Sequence, residues 1–311
     1  MNSVLMLVKG ALELGLIGSI TVLALFLSYS MLNVCDLSTD GCFTLGAAVG
    51  ASVAIAGYPY LAILAALAAG CASGFLTAIL QTKCGINSLL SGIIVNTGLY
   101  SVNIAVMKQA SVLNLNKVET VFSKAKDLLR GTVFFDYSKI FVILLFVLAV
   151  AVFLYFFLRT KLGLAIRATG NNPDMVRSSS VNPHFTTIVA LCISGAITAL
   201  SGSLLAFYNQ SANIDIGTGM VTVALASLLI GQVFLGKKKL SLRLVGTVLG
   251  AFVFRLVYTV ALRFRMPAFM LKLVSAIVVF LAIAAPYLIA ALKERKARHD
   301  RVLARKKEKT V

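Results

Sequence analysis

Residues 139–159 read KIFVILLFVLAVAVFLYFFLR, an unbroken run of apolar and aromatic residues enclosed between a lysine and an arginine. A helix needs roughly 20 such residues to cross a hydrocarbon core of about 30 Å, so this stretch has the length and composition of a membrane span. The whole chain has the same character, since 59% of its 311 residues are hydrophobic, 13% are charged and the mean hydropathy is +0.94. Water-soluble globular proteins do not have this composition. The sequence therefore predicts a polytopic membrane protein.

Further apolar stretches are also long enough to cross a bilayer as helices. They lie near 11–31, 41–58, 60–81, 88–107, 185–208, 218–235, 243–262 and 267–291. Barrel strands are excluded because the runs are too long and lack the alternation of apolar and polar residues that a lipid-facing strand requires. We therefore predict an all-α fold with about nine transmembrane helices over 1–291, followed by a basic cytoplasmic tail at 292–311.

The formal net charge of +18 predicts the orientation of the chain in the membrane. In a soluble protein such a charge would suggest binding to nucleic acid. Here the basic residues lie in loops and in the tail, so we expect the chain to interact with the lipid bilayer and not with nucleic acid. The tail that begins at Lys293 places the C-terminus in the cytoplasm. Counting back through the spans places 237–239 and 160–184 on the same side and the N-terminus outside. Arg263 and Arg265 argue against this orientation, because they would lie outside.

Two similar polar turns predict an internal repeat. Residues 33–41 read NVCDLSTDG and residues 213–219 read NIDIGTG, and each turn precedes a stretch rich in small residues. Because the turns are five spans apart, their surroundings should run in opposite directions through the membrane, as in inverted-repeat transporters. The repeat halves would cover about 11–107 and 185–291. Chance similarity between two polar turns is the alternative.

Polar residues within or beside the apolar runs indicate where a solute pathway could lie, because burying them in a membrane is costly unless they are paired or face a cavity. Asn33, Asp36, Asn96 and Asn213 could together line such a route. The alternative for each residue is a helix cap or a hydrogen bond between helices.

Three Gly-x-x-x-Gly motifs predict close contacts between helix backbones. They begin at Gly46, Gly70 and Gly246, and each lies inside a predicted span. Packing of helices explains all three motifs without any functional role.

The sequence contains no pattern typical of a catalytic, metal or cofactor site. His184 and His299 are the only histidines, and the five cysteines show no CxxC spacing. Residues 231–238 read GQVFLGKK, which lacks the final Ser or Thr of a phosphate-binding loop and follows an apolar helix rather than a strand. We therefore expect a non-catalytic chain that binds no metal or cofactor and does not bind ATP itself.

The polar stretch 160–184 interrupts the apolar chain and contains a helix start. Asn172 is a good N-cap, Pro173 suits the first helical position, and Asp174 places a carboxylate near the positive end of the helix dipole. We predict a short helix from Pro173 to about residue 179 on the membrane face, with Met175 and Val176 available to a partner's groove. An ordinary connecting loop is the alternative.

This stretch resembles the coupling segment of a family of ABC-importer permeases, those of the branched-chain amino acid and ribose type. The similarity lies in residues 162–177, which read LGLAIRATGNNPDMVR, and extends to the turn and helix at 33–47. It implies a permease dimer, expected to be a homodimer, an ATPase subunit into which the coupling helix docks, and an extracellular binding protein that delivers the solute. It also implies an ATPase contact formed by Gly163, Arg167, Ala168, Gly170, Asn171, Asn172, Pro173, Asp174, Met175 and Arg177.

The chain departs from the family pattern at one position of this stretch and is most similar to one branch of the family. Ser180 stands where the family commonly has glycine, which leaves the exit from the coupling helix in question. The turn DLSTDG at 36–41 and the residues NPDMV at 172–176 are most similar to a branch linked to aromatic amino acid uptake. The resulting expectation is the permease of an ATP-driven importer in a bacterial plasma membrane, which translocates a small solute such as an amino acid. An ion-coupled secondary transporter with an inverted repeat is the alternative.

Overall fold

A computed structural model describes residues 2–116, 118–128, 138–235 and 239–263, together with positions 273, 276, 277, 280 and 284. Helices dominate these residues, as predicted. Six of the described helices are long and apolar enough to cross a membrane, and they match six of the predicted spans. They are Val8–Met31, Pro59–Thr82, Ser88–Val106, Ser138–Phe157, Pro183–Asn209 and Leu240–Val260.

The elements follow one another in a simple order. The helices are α1 (Asn2–Leu25, continued by a π-helical turn, Phe26–Met31), α2 (Thr39–Ile55), α3 (Pro59–Thr82), α4 (Ser88–Val106), α5 (Val121–Leu128), α6 (Ser138–Phe157), α7 (Lys161–Asn171), α8 (Pro173–Ser178), α9 (Pro183–Asn209), α10 (Met220–Leu235) and α11 (Leu240–Arg263). Two short strands, β1 (Val112–Asn114) and β2 (Ser211–Asn213), complete the described chain.

Two of the predicted spans, 41–58 and 218–235, are shorter in the structure than a full span. They correspond to α2 with 17 residues and α10 with 16 residues. Helix α2 begins inside the bundle, where the Cys42 thiol donates to the Gly195 carbonyl oxygen at 3.3 Å, near the middle of α9. Helix α10 begins beside it, because the Gly219 and Val221 N–H groups donate to Asp40 of α2. Hydropathy measures the length of an apolar stretch and not the depth at which its helix begins. The ninth predicted span, 267–291, and the tail lie almost entirely outside the described residues.

Helix α9 forms the centre of the bundle, with α1, α2 and α3 packed around it. Two of the predicted glycine motifs explain the close approach. A Cβ atom on Gly46 would collide with Ala199, and one on Gly70 or Gly74 would collide with the backbone of α9. The third motif places Gly250 against Ser227 and Gly231 of α10. The packing role predicted for all three motifs is thus confirmed.

The two ends of the bundle are built differently. At one end β1 pairs with β2 in antiparallel register, with Val112 opposite Asn213. At the other end α7 lies against the last turn of α1, where a Cβ atom on Gly170 would collide with Met31 and Leu32. We refer to these as the ribbon end and the α7 end. The assignment of the α7 end to the cytoplasm remains a prediction.

Candidate coupling site and interior junction

Helix α8 begins at the predicted residue. The Asn172 side-chain oxygen accepts hydrogen bonds from the backbone N–H groups of Asp174 and Met175, both at 3.1 Å. Pro173 occupies the first turn, and Arg177 lies in the last turn, where a cation favours the negative end of the helix dipole. The helix ends at Ser178, close to the predicted end. Local sequence chemistry therefore determines where this helix begins.

The two apolar residues of α8 differ in their exposure. Met175 is 68% exposed, whereas Val176 is only 5% exposed and anchors α8 to the bundle. The prediction that both are available to a partner is therefore wrong for Val176. The exposed members of the predicted contact are Ala168, Asn171, Asn172, Pro173, Asp174, Met175 and Arg177, and Arg167 is half-buried.

Two glycines of the predicted contact face the bundle instead of the solvent side of α7. A Cβ atom on Gly163 would collide with the backbone at the end of α6, and Gly170 packs on the end of α1. Thr160 caps the start of α7 by accepting a hydrogen bond from Gly163 N–H at 3.2 Å. The Thr169 and Thr186 hydroxyl oxygens lie 2.8 Å apart and join α7 to α9. Gly163 and Gly170 thus hold the segment in place, and α7 is tied to three helices.

The exit from α8 requires an unusual backbone conformation. Ser180 has a φ angle of +61°, in the left-handed region that residues with a Cβ atom seldom adopt. Glycine enters this region without steric cost. This conformation explains why a glycine would be suited to the position, and the exit is formed even though the chain has serine there.

A polar cluster connects the end of α1 with α10 and α11. The Ser30 hydroxyl oxygen accepts hydrogen bonds from Gln232 Nε2 at 3.0 Å and from Arg243 Nη2 at 2.7 Å. The Arg243 guanidinium also lies 5.4 Å from the centre of the Phe26 ring. Ser30 belongs to the π-helical turn, and such turns are frequent at functional sites. Because Gly170 packs on the residue after Ser30, the cluster links the α7–α8 segment to α10 and α11.

The two short helices meet at an interior junction. The Asp40 carboxylate, in the first turn of α2, accepts hydrogen bonds from the backbone N–H groups of Gly219 at 2.9 Å and Val221 at 2.8 Å. These groups belong to the start of α10, which would otherwise leave its first N–H groups without partners. Asp40 therefore caps α10 from a position 179 residues earlier in the chain. The junction brings together the two turns from which we predict the repeat, although the repeat itself remains a prediction.

The residues of the predicted solute route do not form one cluster. Asp36 is buried and accepts a hydrogen bond from Ser38 N–H at 2.8 Å, which closes the turn that leads into α2. Asn96 lies on α4 beside Gly41. Asn33 is exposed near the α7 end, whereas Asn213 is exposed in β2 at the ribbon end. The route through these four residues remains a prediction.

Sequence reasoning missed Arg243 and Arg255, although both lie within a predicted span. Arginine inside an apolar helix is costly and commonly marks a functional position, so this signal was available. Arg255 lines a partly open cavity of about 700 Å³ between parts of α1, α2, α9, α10 and α11, with positions 276 and 280 also in its wall. None of the four residues of the predicted solute route lines this cavity.

Comparison with known proteins gives these features a family context. Residues 7–284 match the model of a family described as the branched-chain amino acid transport system permease component. The chain is 33% identical to a tyrosine transport system permease protein of Clostridioides difficile, over 94% of this chain and 96% of that protein. It is 26% identical to the ribose import permease protein RbsC of Escherichia coli, over 80% of this chain and 75% of that protein. No solved structure matches the chain.

The matches confirm the family predicted from the coupling segment and the early turn. They identify a permease component of a transport system and, together with the six apolar helices, a multi-pass protein of the bacterial plasma membrane. The chain belongs to the family of ABC transporter permeases of the branched-chain amino acid and ribose type.

Proposed function

We propose that this chain is the translocating subunit of an ATP-driven importer for an amino acid, with aromatic amino acids as its preferred solutes. The observation that carries the proposal is the similarity along nearly the whole chain to a tyrosine transport permease. An extracellular binding protein would deliver the solute, and a second copy of the permease would complete the pathway. ATP would be hydrolysed by a separate subunit.

The α7–α8 segment supports the coupling part of this proposal. Its α8 helix is short, capped at its first turn and exposed on the side that carries Asp174, Met175 and Arg177. An exposed methionine on a small rigid helix suits a groove in another protein, because its flexible side chain adapts to irregular surfaces. Movement of α8 would reach the interior through Gly170, the end of α1 and the Ser30 cluster.

Copurification tests the predicted contact with the ATPase. Asp174 and Arg177 are exposed and can both be replaced with alanine without creating a cavity. We expect the double variant to fold and to lose the ATPase during purification. The matched control replaces Glu119 and Lys124, an exposed ion pair of 3.3 Å near the ribbon end, with alanine. Retention of the ATPase by the first variant would contradict the contact.

The energy source distinguishes this proposal from an ion-coupled secondary transporter. The predicted inverted repeat and the buried Asp36 are the features that support that alternative. In right-side-out membrane vesicles that contain the whole transporter, uptake of labelled tyrosine should require ATP inside the vesicle and should continue in the presence of an uncoupler. Uptake that follows an ion gradient without ATP would replace our proposal with the secondary transporter.

A further inference from the structure

The cavity beside the interior junction has the size and lining of a small-molecule site. Its volume of about 700 Å³ lies within the range of about 300–1,000 Å³ that is typical of ligand pockets. Its walls are mostly apolar and include the aromatic rings of Phe43, Phe254 and Tyr258. Polar side chains from Asn209 and Thr218 also reach it. Such a lining fits a ligand with an aromatic body and a small polar end.

Arg255 supplies the cavity with a positive charge that forms no ion pair with any residue that the structure describes. Its guanidinium lies 4.9 Å from the centre of the Tyr258 ring. Its Nε atom is buried without a hydrogen-bond partner, and no ion pair to Arg255 is formed among the described residues. A charged group inside a membrane protein is costly unless it is paired, so the site favours an anion.

The nearby carboxylates are already engaged. Glu13 is buried and accepts a hydrogen bond from the Tyr208 hydroxyl at 2.7 Å. Asp40 accepts two hydrogen bonds from the start of α10, which also occupies the N–H groups that could otherwise bind an anion there. Among the described residues that line the cavity, Arg255 is the cation that can pair with a carboxylate.

We propose that this cavity binds an aromatic amino acid, with Arg255 pairing with its carboxylate and the aromatic wall holding its ring. The proposal rests on the proposed function and extends it, because it gives the permease a selective site of its own in addition to that of a binding protein. A fatty acid from the bilayer shares the carboxylate. The amino acid fits better because the cavity reaches the polar groups of Asn209 and Thr218, next to which a long hydrocarbon chain would gain nothing.

Direct binding to the purified full-length chain tests the role of Arg255. The probes are L-tyrosine, tyramine, which lacks the carboxylate, and 3-(4-hydroxyphenyl)propionate, which lacks the ammonium group. Because hydrogen bonds to a charged partner are the strong ones, Arg255→Gln should weaken binding of the two carboxylates by roughly 10- to 100-fold. The same variant should not weaken binding of tyramine. Arg159→Gln, an exposed arginine near the start of α7, provides the matched control.

A second variant tests the cavity without changing any charge. Gly18 lines the cavity, and a Cβ atom added there meets nothing within 4 Å. Gly18→Leu should therefore fold normally but fill part of the cavity and abolish tyrosine binding. Gly98→Leu is the matched control, because Gly98 also has open space around it but lies on an exposed part of α4 away from the cavity.

Loss of carboxylate binding in Arg255→Gln together with loss of tyrosine binding in Gly18→Leu supports the proposal. Three results would overturn it. The first is tyrosine binding that neither variant alters, and the second is a loss of tyramine binding in Arg255→Gln equal to the loss of tyrosine binding. The third is a ligand that copurifies with the chain and is displaced by oleate but not by tyrosine. Each of these results concerns the cavity alone. The vesicle experiment decides ATP-driven import independently, so failure of one proposal is distinguishable from failure of the other.

Discussion

Replacement of Asp40 by asparagine tests the junction between the two short helices. The carboxylate uses both oxygens, one for Gly219 N–H and one for Val221 N–H. Asparagine keeps one accepting oxygen and loses the negative charge beside the start of α10. The variant thus loses one hydrogen bond to a charged group, worth about 1.5–3 kcal/mol, and a favourable interaction with the helix dipole of about 0.3–1 kcal/mol. We expect the free energy of unfolding to fall by about 2–4 kcal/mol.

Unfolding of the purified chain in mixed micelles, followed by circular dichroism as the fraction of denaturing detergent increases, measures this change. Asp215→Asn is the matched control, because Asp215 is exposed in the turn that leads to α10. Surface substitutions usually change stability by no more than about 0.5 kcal/mol, and we expect that of Asp215→Asn. An Asp40→Asn variant as stable as this control would refute the assigned role of the carboxylate.

Three further substitutions test other contacts. Gly195→Ala should destabilise the chain by about 1–3 kcal/mol, because the new Cβ atom collides with the backbone of α3; Gly98→Ala, measured in the same unfolding assay, should not. Ser30→Ala removes the acceptor that Arg243 uses, so it should lower transport by the reconstituted importer while the ATPase remains bound; unchanged transport would contradict a role in transmission. Ser180→Gly should raise the melting temperature. Glycine relieves about 1–2 kcal/mol of left-handed backbone strain at this position, which exceeds the entropy cost of glycine of about 0.5–1 kcal/mol. A lower melting temperature would count against this reasoning.

The parts of the structure that follow from local chemistry could be predicted from the sequence. The start of α8 depends on Asn172, Pro173 and Asp174, which are neighbours in the chain, and the structure places the helix there. The six long spans follow from the length of their apolar runs. The glycine motifs predict close packing because a missing side chain permits it, whichever helix is the partner.

The parts that depend on distant contacts could not be predicted. Nothing near Asp40 in the sequence indicates that it caps a helix that begins at Met220. Likewise, the sequence gives Met175 and Val176 the same apolar character, and only the position of α9 and α7 decides which of them is buried. Arg255 differs from these cases. The sequence shows a charged residue within an apolar run, but it does not show the cavity that this residue lines.

The ribbon of β1 and β2 has a consequence for biogenesis. Residues 112–114 leave the ribosome almost a hundred residues before their partners at 211–213, which at about 5–20 residues per second is a delay of roughly 5–20 s. During that interval the backbone groups of β1 are solvated and unpaired, and α6 and α9 must be inserted before the strands can meet. Closure of this end of the bundle therefore follows insertion of the central helix α9.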